Sequence, residues 1–210
     1  MRRKRNKGNY AFIDSQNVNV SVQNYGWKMN WRKLREFLSE KHGVTKAFMF
    51  IGYMPENEDL YEKMHEAGFA VVLKPTYDMS RPYPNQPQPA QQGAGGEQPN
   101  PENGSPRPPV NGETTAQRKP VKGNVDADLV LWAMKEMPNY NKAIIVSGDG
   151  DFHSLVEYLH QQGKLQKLLT PTGQYSSLFH EFEQYIDRLD QHRRELAYYD
   201  KKKILSRNKQ

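Results

Sequence analysis

The stretch AIIVSGDGDFHSLVEYL, residues 143–159, decides the fold. Ala143, Ile144, Ile145 and Val146 form a short apolar run that predicts a buried parallel strand, and Phe152, Leu155, Val156 and Leu159 then recur at helical spacing. The period changes at Ser147-Gly148-Asp149-Gly150-Asp151. Two carboxylates therefore stand on a glycine-flanked turn between a strand and a helix. They lie at the carboxyl end of the strand, where open α/β sheets bind their ligands. Taken alone the turn has a plain structural explanation, with Asp151 capping the helix and Asp149 in solvent. Two further segments weigh against that explanation.

The first lies upstream. Tyr10-Ala11-Phe12-Ile13 predicts a strand ending in Asp14-Ser15-Gln16-Asn17, so an aspartate again follows an apolar strand directly. Asn30 can cap a helix running to about Lys41, with Trp31, Leu34, Phe37 and Leu38 on one face. A second strand is expected at 46–53, a helix at 57–67 closed by Gly68, and a third strand at 69–73, with Lys74 solvated at its end. The second segment is VKGNVDADLVLWAMKEM, where Val125, Leu129, Val130 and Ala133 can share a helical face. Asp126 and Asp128 fall at that helix start, where the helix dipole also favours them. Residues 165–169 predict a fifth strand, and Ser176 or Ser177 can cap a helix containing Leu178, Phe182, Tyr185 and Ile186. Alternation of strands and helices on short loops implies a mostly parallel five-stranded sheet covered on both faces.

Between the third strand and Val125 the pattern stops. Residues 80–119 are dominated by Pro, Gln, Gly, Asn and Glu without apolar periodicity, which predicts a disordered insert within one domain spanning residues 9–188. The insert could tether a protein partner or gate substrate; an inert loop is the simpler account. A basic arm, residues 1–8, precedes the domain, and a charged helix or tail, residues 189–210, follows it.

The 210 residues carry a net charge of +6, which favours a polyanionic partner. With no cysteine there is no disulfide framework, thiolate nucleophile or cysteine zinc site. The amino terminus has no secretory apolar region, and no apolar run is long enough to cross a bilayer, so a soluble cytoplasmic protein is expected without membrane partners.

In a doubly wound sheet the first and fourth strands are neighbours at the switch point. Asp14 and Asp149 would therefore meet there, with Asp126 and Asp128 approaching from the helix that feeds the fourth strand. Several carboxylates in one place repel unless a cation joins them. Oxygen donors without cysteine or clustered histidine favour Mg²⁺ or Mn²⁺, which can activate water for attack on phosphorus. Asn17, Lys122 and Ser147 are candidates for substrate contact, Asn17 for a phosphate or a metal-bound water. His153 and His160 read as surface residues. No Walker loop and no G-x-S-x-G elbow occurs, and Gln16 stands where a haloacid-dehalogenase pattern needs its second aspartate.

FIDSQN, KGNVDADL and VSGDGDF, in this order on a β/α chain, resemble the NYN domain, the LabA-like branch of the PIN-like nuclease superfamily. SSLFHEFEQYIDRL is similar to the family's closing turn and helix. The resemblance implies a PIN-like, Rossmann-like α/β/α sandwich, a divalent-metal site and endoribonuclease activity on single-stranded or structured RNA. Asp14, Asp126, Asp149 and Asp151 match the family's catalytic and metal-binding carboxylates, with Asp128 a second choice beside Asp126, and Asn17 matches the polar residue after the first aspartate. The alternative expectation is a non-catalytic RNA- or nucleotide-binding regulatory module.

Overall fold

Alternation along the first strand sets up both faces of the sheet. In β1 (Asn9–Asp14), Ala11 and Ile13 belong to one apolar cluster and Phe12 to the other. The computed structural model describes residues 7–74 and 125–199, all of which lie in one compact unit. The expected insert at 80–119, most of the basic arm, Lys122 and the end of the charged tail fall outside the described residues.

After β1 come α1 (Ser15–Asn24), α2 (Trp31–His42), β2 (Val44–Gly52), α3 (Glu58–Glu66) and β3 (Ala70–Lys74). Then follow α4 (Val125–Glu136), β4 (Ala143–Val146), α5 (His153–Gln161), β5 (Leu165–Thr170), β6 (Ile186–Arg188) and the short α6 (Arg193–Leu196). The six strands are ordered β3-β2-β1-β4-β5-β6, and every pairing is parallel. The chain thus runs outward in one direction from β1 and in the other from β4, and β1 pairs directly with β4. The switch point lies between these two strands.

On one face Ala11, Ile13, Ala47, Met49, Ile144 and Val146 pack under α1, α2 and α6 through Val18, Val22, Leu34, Phe37, Leu38 and Leu196. On the other face Phe12, Phe48, Phe50, Ile145 and Leu168 meet Leu129 and Ala133 of α4 and Leu155, Val156 and Leu159 of α5. Phe12 and Phe48 stack with centroids 5.4 Å apart. The expected α/β/α sandwich is therefore present, with helices on both faces as a buried parallel sheet requires.

Three local features differ from expectation. Residues 15–24 form a helix, α1, with Asp14 as its N-cap rather than a simple turn. Only Val18 and Val22 supply its apolar stripe, among Asn, Gln and Ser of weak helix propensity. The segment Ser177–Tyr185 is a 3₁₀ coil kinked at Phe182, not a regular helix. Ile186, expected to continue it, instead opens β6, the sixth strand, against Leu168. A three-residue strand carries too little periodicity to register against the preceding pattern.

Candidate active site

The carboxyl ends of β1 and β4 hold a connected set of polar groups. Asp14 ends β1 and caps α1: its Oδ1 accepts the backbone N–H of Asn17 at 3.0 Å. The Asn17 side-chain oxygen accepts the backbone N–H of Gly148 at 2.9 Å, so α1 is tied to the turn after β4. Ser147 completes the bridge. Its hydroxyl donates to Asp14 Oδ2 at 3.2 Å and accepts the Asp149 N–H at 3.1 Å. Asp149 in turn caps the tight turn at Gly150–Phe152 by accepting the Asp151 N–H at 3.0 Å. Ser15 anchors the start of α1 by donating to the carbonyl of Phe50 at 2.7 Å.

Asp14 is only 7 % exposed. Its carboxyl is raised above the ordinary value, first by burial and then by the charges of Asp126 and Asp149, while the bonds from Asn17 and Ser147 oppose the rise. The structure therefore brings Asp126 and Asp149 near enough to Asp14 for their charges to act on it, although the three lie far apart along the chain. Asp151 contributes its backbone N–H to this network and keeps an exposed side chain. Asp128 turns elsewhere: its carboxylate is paired with Lys74 Nζ at 3.1 Å. That lysine, expected to be solvated, instead joins the end of β3 to the first turn of α4.

Ser147 and Asn17 are both tied into this network. Ser147 is 0 % exposed with its hydroxyl both donating and accepting, so it acts as a strut for two aspartates and has no surface for substrate. Asn17 has its side-chain oxygen engaged, and the Gly148 donor fixes which end of the amide is which; the Nδ2 group remains for a ligand. His153 and His160 bind Glu181 and Tyr185 and fasten α5 to the 3₁₀ coil.

The glycines of the turn answer to packing. A Cβ on Gly150 would lie 2.4 Å from Ser176 Oγ, and one on Gly148 would lie 3.3 Å from Tyr175 Cβ. The Ser176 N–H donates to the Gly148 carbonyl at 3.0 Å, so the loop after β5 closes over the turn. Sequence alone offers no sign of this contact, because the partners are more than twenty residues apart and share no periodicity.

Among the described residues no three carboxylate or histidine groups stand in a ready-made metal cage. Electrostatic repulsion reaches farther than ligation, so this is compatible with the influence of Asp126 and Asp149 on Asp14. The donor set suits a hard ion that keeps several waters and takes one or two carboxylates, as Mg²⁺ does.

Fold and site together define an all-parallel α/β domain with a buried aspartate and further acidic residues at its switch point. Residues 107–194 match the family model of the NYN domain, the family that the motifs resemble. The match covers KGNVDADL and VSGDGDF; FIDSQN lies upstream of it. A crystallised protein of unknown function from Vibrio parahaemolyticus is similar in fold, with a TM-score of 0.56 and 18% identity over 93% of this chain and 99% of that one. No curated protein matches the chain. Among the described residues no helix is long and apolar enough to cross a membrane.

Proposed function

We propose that the protein is a metal-dependent endoribonuclease that hydrolyses RNA phosphodiester bonds at the crevice between β1 and β4. The observation that carries this reading is Asp14: a carboxylate 7 % exposed at the switch point, held by two hydrogen bonds and facing the charges of Asp126 and Asp149. Burying an acid beside two others costs stability, and a fold retains such an arrangement where a ligand uses it. A helix cap alone needs one aspartate at a surface.

Asp14 and Asp149, with Asp126 beside them, would hold Mg²⁺ or Mn²⁺; when bound, that ion supplies charge neutralisation at phosphorus and a more acidic water. Asn17 Nδ2 would donate to a phosphate oxygen at the crevice. Ser147 keeps the carboxylates of β1 and the β4 turn at a fixed separation. Asp151, exposed at the mouth, would orient water or a metal-bound group, whereas Asp128 is occupied with Lys74. The reading includes a single domain interrupted by the 80–119 segment, substrate contact by Lys122, and a cytoplasmic RNA substrate.

The test is cleavage of labelled RNA and DNA by wild type and Asp149→Asn with Mg²⁺, Mn²⁺ or chelator. Metal-dependent RNA cleavage lost in the variant, with RNA retention kept, is the expected result. Equal cleavage by both proteins would refute the site. RNA bound but uncut across the whole metal series would instead establish a non-catalytic binding module.

A further inference from the structure

β1, β4 and β5 run parallel, so the residues that precede them share the edge opposite the carboxylates. Three of those residues are Lys7, Lys142 and Lys164. Lys164 Nζ donates to the carbonyls of Tyr140 at 2.7 Å and Met137 at 3.4 Å, and Lys7 Nζ donates to the carbonyl of Pro138. Both ammonium groups therefore sit on one turn. Lys142 Nζ donates to the carbonyl of Gly163, next to Lys164, at 2.5 Å. Burial lowers the pKa of Lys164, and the charges of Lys7 and Lys142 lower it further.

Carbonyl partners orient an ammonium group without neutralising it. Among the described residues none of the three lysines is ion-paired, and the neighbouring Glu136 accepts from Asn139 instead. Capping of loop carbonyls explains each lysine singly. It does not explain why two further ammonium charges stand near enough to act on Lys164 while none of the three is paired with a carboxylate among the described residues. An anion relieves that repulsion. Arg2, Arg3, Lys4 and Arg5 precede Lys7 in the sequence and add charge of the same sign.

We propose that this edge is a second phosphate-binding site, at which Lys7 and Lys142, supported by Lys164, hold the backbone of an RNA whose cleaved segment lies at the opposite edge. The proposal rests on the ribonuclease reading. At about 3.3 Å per residue, the six residues of β1 separate the edges by roughly 20 Å. At about 3.4 Å per stacked nucleotide, roughly six nucleotides bridge them. A short oligonucleotide occupies one edge, and a longer one reaches both.

The experiment measures binding of fluorescent oligouridylates of about 4 and about 20 nucleotides to the full chain in chelator, across a salt series. Lys7→Gln/Lys142→Gln should reduce the steepness of log Kd against log salt by about 1.4 for the long probe, at about 0.7 per phosphate contact. Lys7→Gln alone should give about half that change. Arginine at both positions should restore it. An unchanged slope for the long probe overturns the proposal. So does lysine-dependent binding to phosphatidylserine vesicles with no change in RNA binding. Asp149→Asn should keep the wild-type slope, so failure of cleavage and failure of this site are read separately.

Discussion

Replacing Ser147 with alanine removes one hydroxyl that serves two aspartates, and the consequence can be worked from its bonds. Its donation to Asp14 Oδ2 at 3.2 Å is a hydrogen bond to a carboxylate, a type whose loss costs about 1.5–3 kcal/mol. The Asp149 N–H also loses its acceptor, although water can reach that half-buried turn. A net loss of about 2 kcal/mol corresponds to roughly 4–8 °C in melting temperature for a chain of this size. The loss should depend on pH with a defined sign. Asp14 titrates above its ordinary 3.8 in the fold, so the folded protein binds that proton more tightly than the unfolded chain. Stability therefore falls as pH rises through the window from 3.8 to the folded-state value, and the charged carboxylate counts against folding above it. Ser147 opposes the upward shift, so the alanine variant should show its largest deficit where Asp14 is ionised. The deficit should shrink as pH falls through that window. Thermal melts in chelator from about pH 7 downward measure this directly. A variant as stable as wild type near neutrality, or a deficit that grows on acidification, would refute the assigned role.

Other substitutions test separate parts of the structure. Gly150→Ala places a methyl group 2.4 Å from Ser176 Oγ and should cost about 1–3 kcal/mol in a chemical-denaturation curve, with lower cleavage as the turn is displaced. Phe12→Ala empties the site of a fully buried ring stacked on Phe48 and should destabilise the protein by about 3–5 kcal/mol by the same measurement. Asp128→Asn should leave RNA cleavage within a fewfold of wild type, because its carboxylate serves Lys74; a loss as deep as that of Asp149→Asn in a kinetic assay would place it at the reacting centre.

The fold was legible where apolar residues recur with a clear period. β4 matches its expected bounds, and the neighbouring of β1 and β4 follows from strand–helix alternation alone. The gaps have physical causes. α1 depends on a cap and two valines, and its low helix propensity is overcome only by burial against β1 and β2. β6 exists because the chain beyond the 3₁₀ coil reaches the open edge of β5, a tertiary event with no local signature. The site divides in the same way. The placement of Asp14, Asp126 and Asp149 at element junctions is a local feature, and so it is visible in the chain. The pairing of Lys74 with Asp128, the burial of Ser147 and the closure of Ser176 over Gly150 are contacts across the sequence, set by how the sheet is ordered.

The account depends on one electrostatic statement, that Asp14 is held charged among other acids at a cost which a divalent cation offsets. Thermal unfolding of wild type and Asp14→Asn, each in chelator and in excess Mn²⁺, tests it most directly. Asparagine can keep the cap to α1, so the variant in chelator should melt above wild type. Wild type should gain about 2.7 kcal/mol at a Mn²⁺ concentration near a hundred times its dissociation constant, and the variant should gain far less. A variant that melts below wild type in chelator, together with a wild type indifferent to Mn²⁺ and Mg²⁺, would contradict the account.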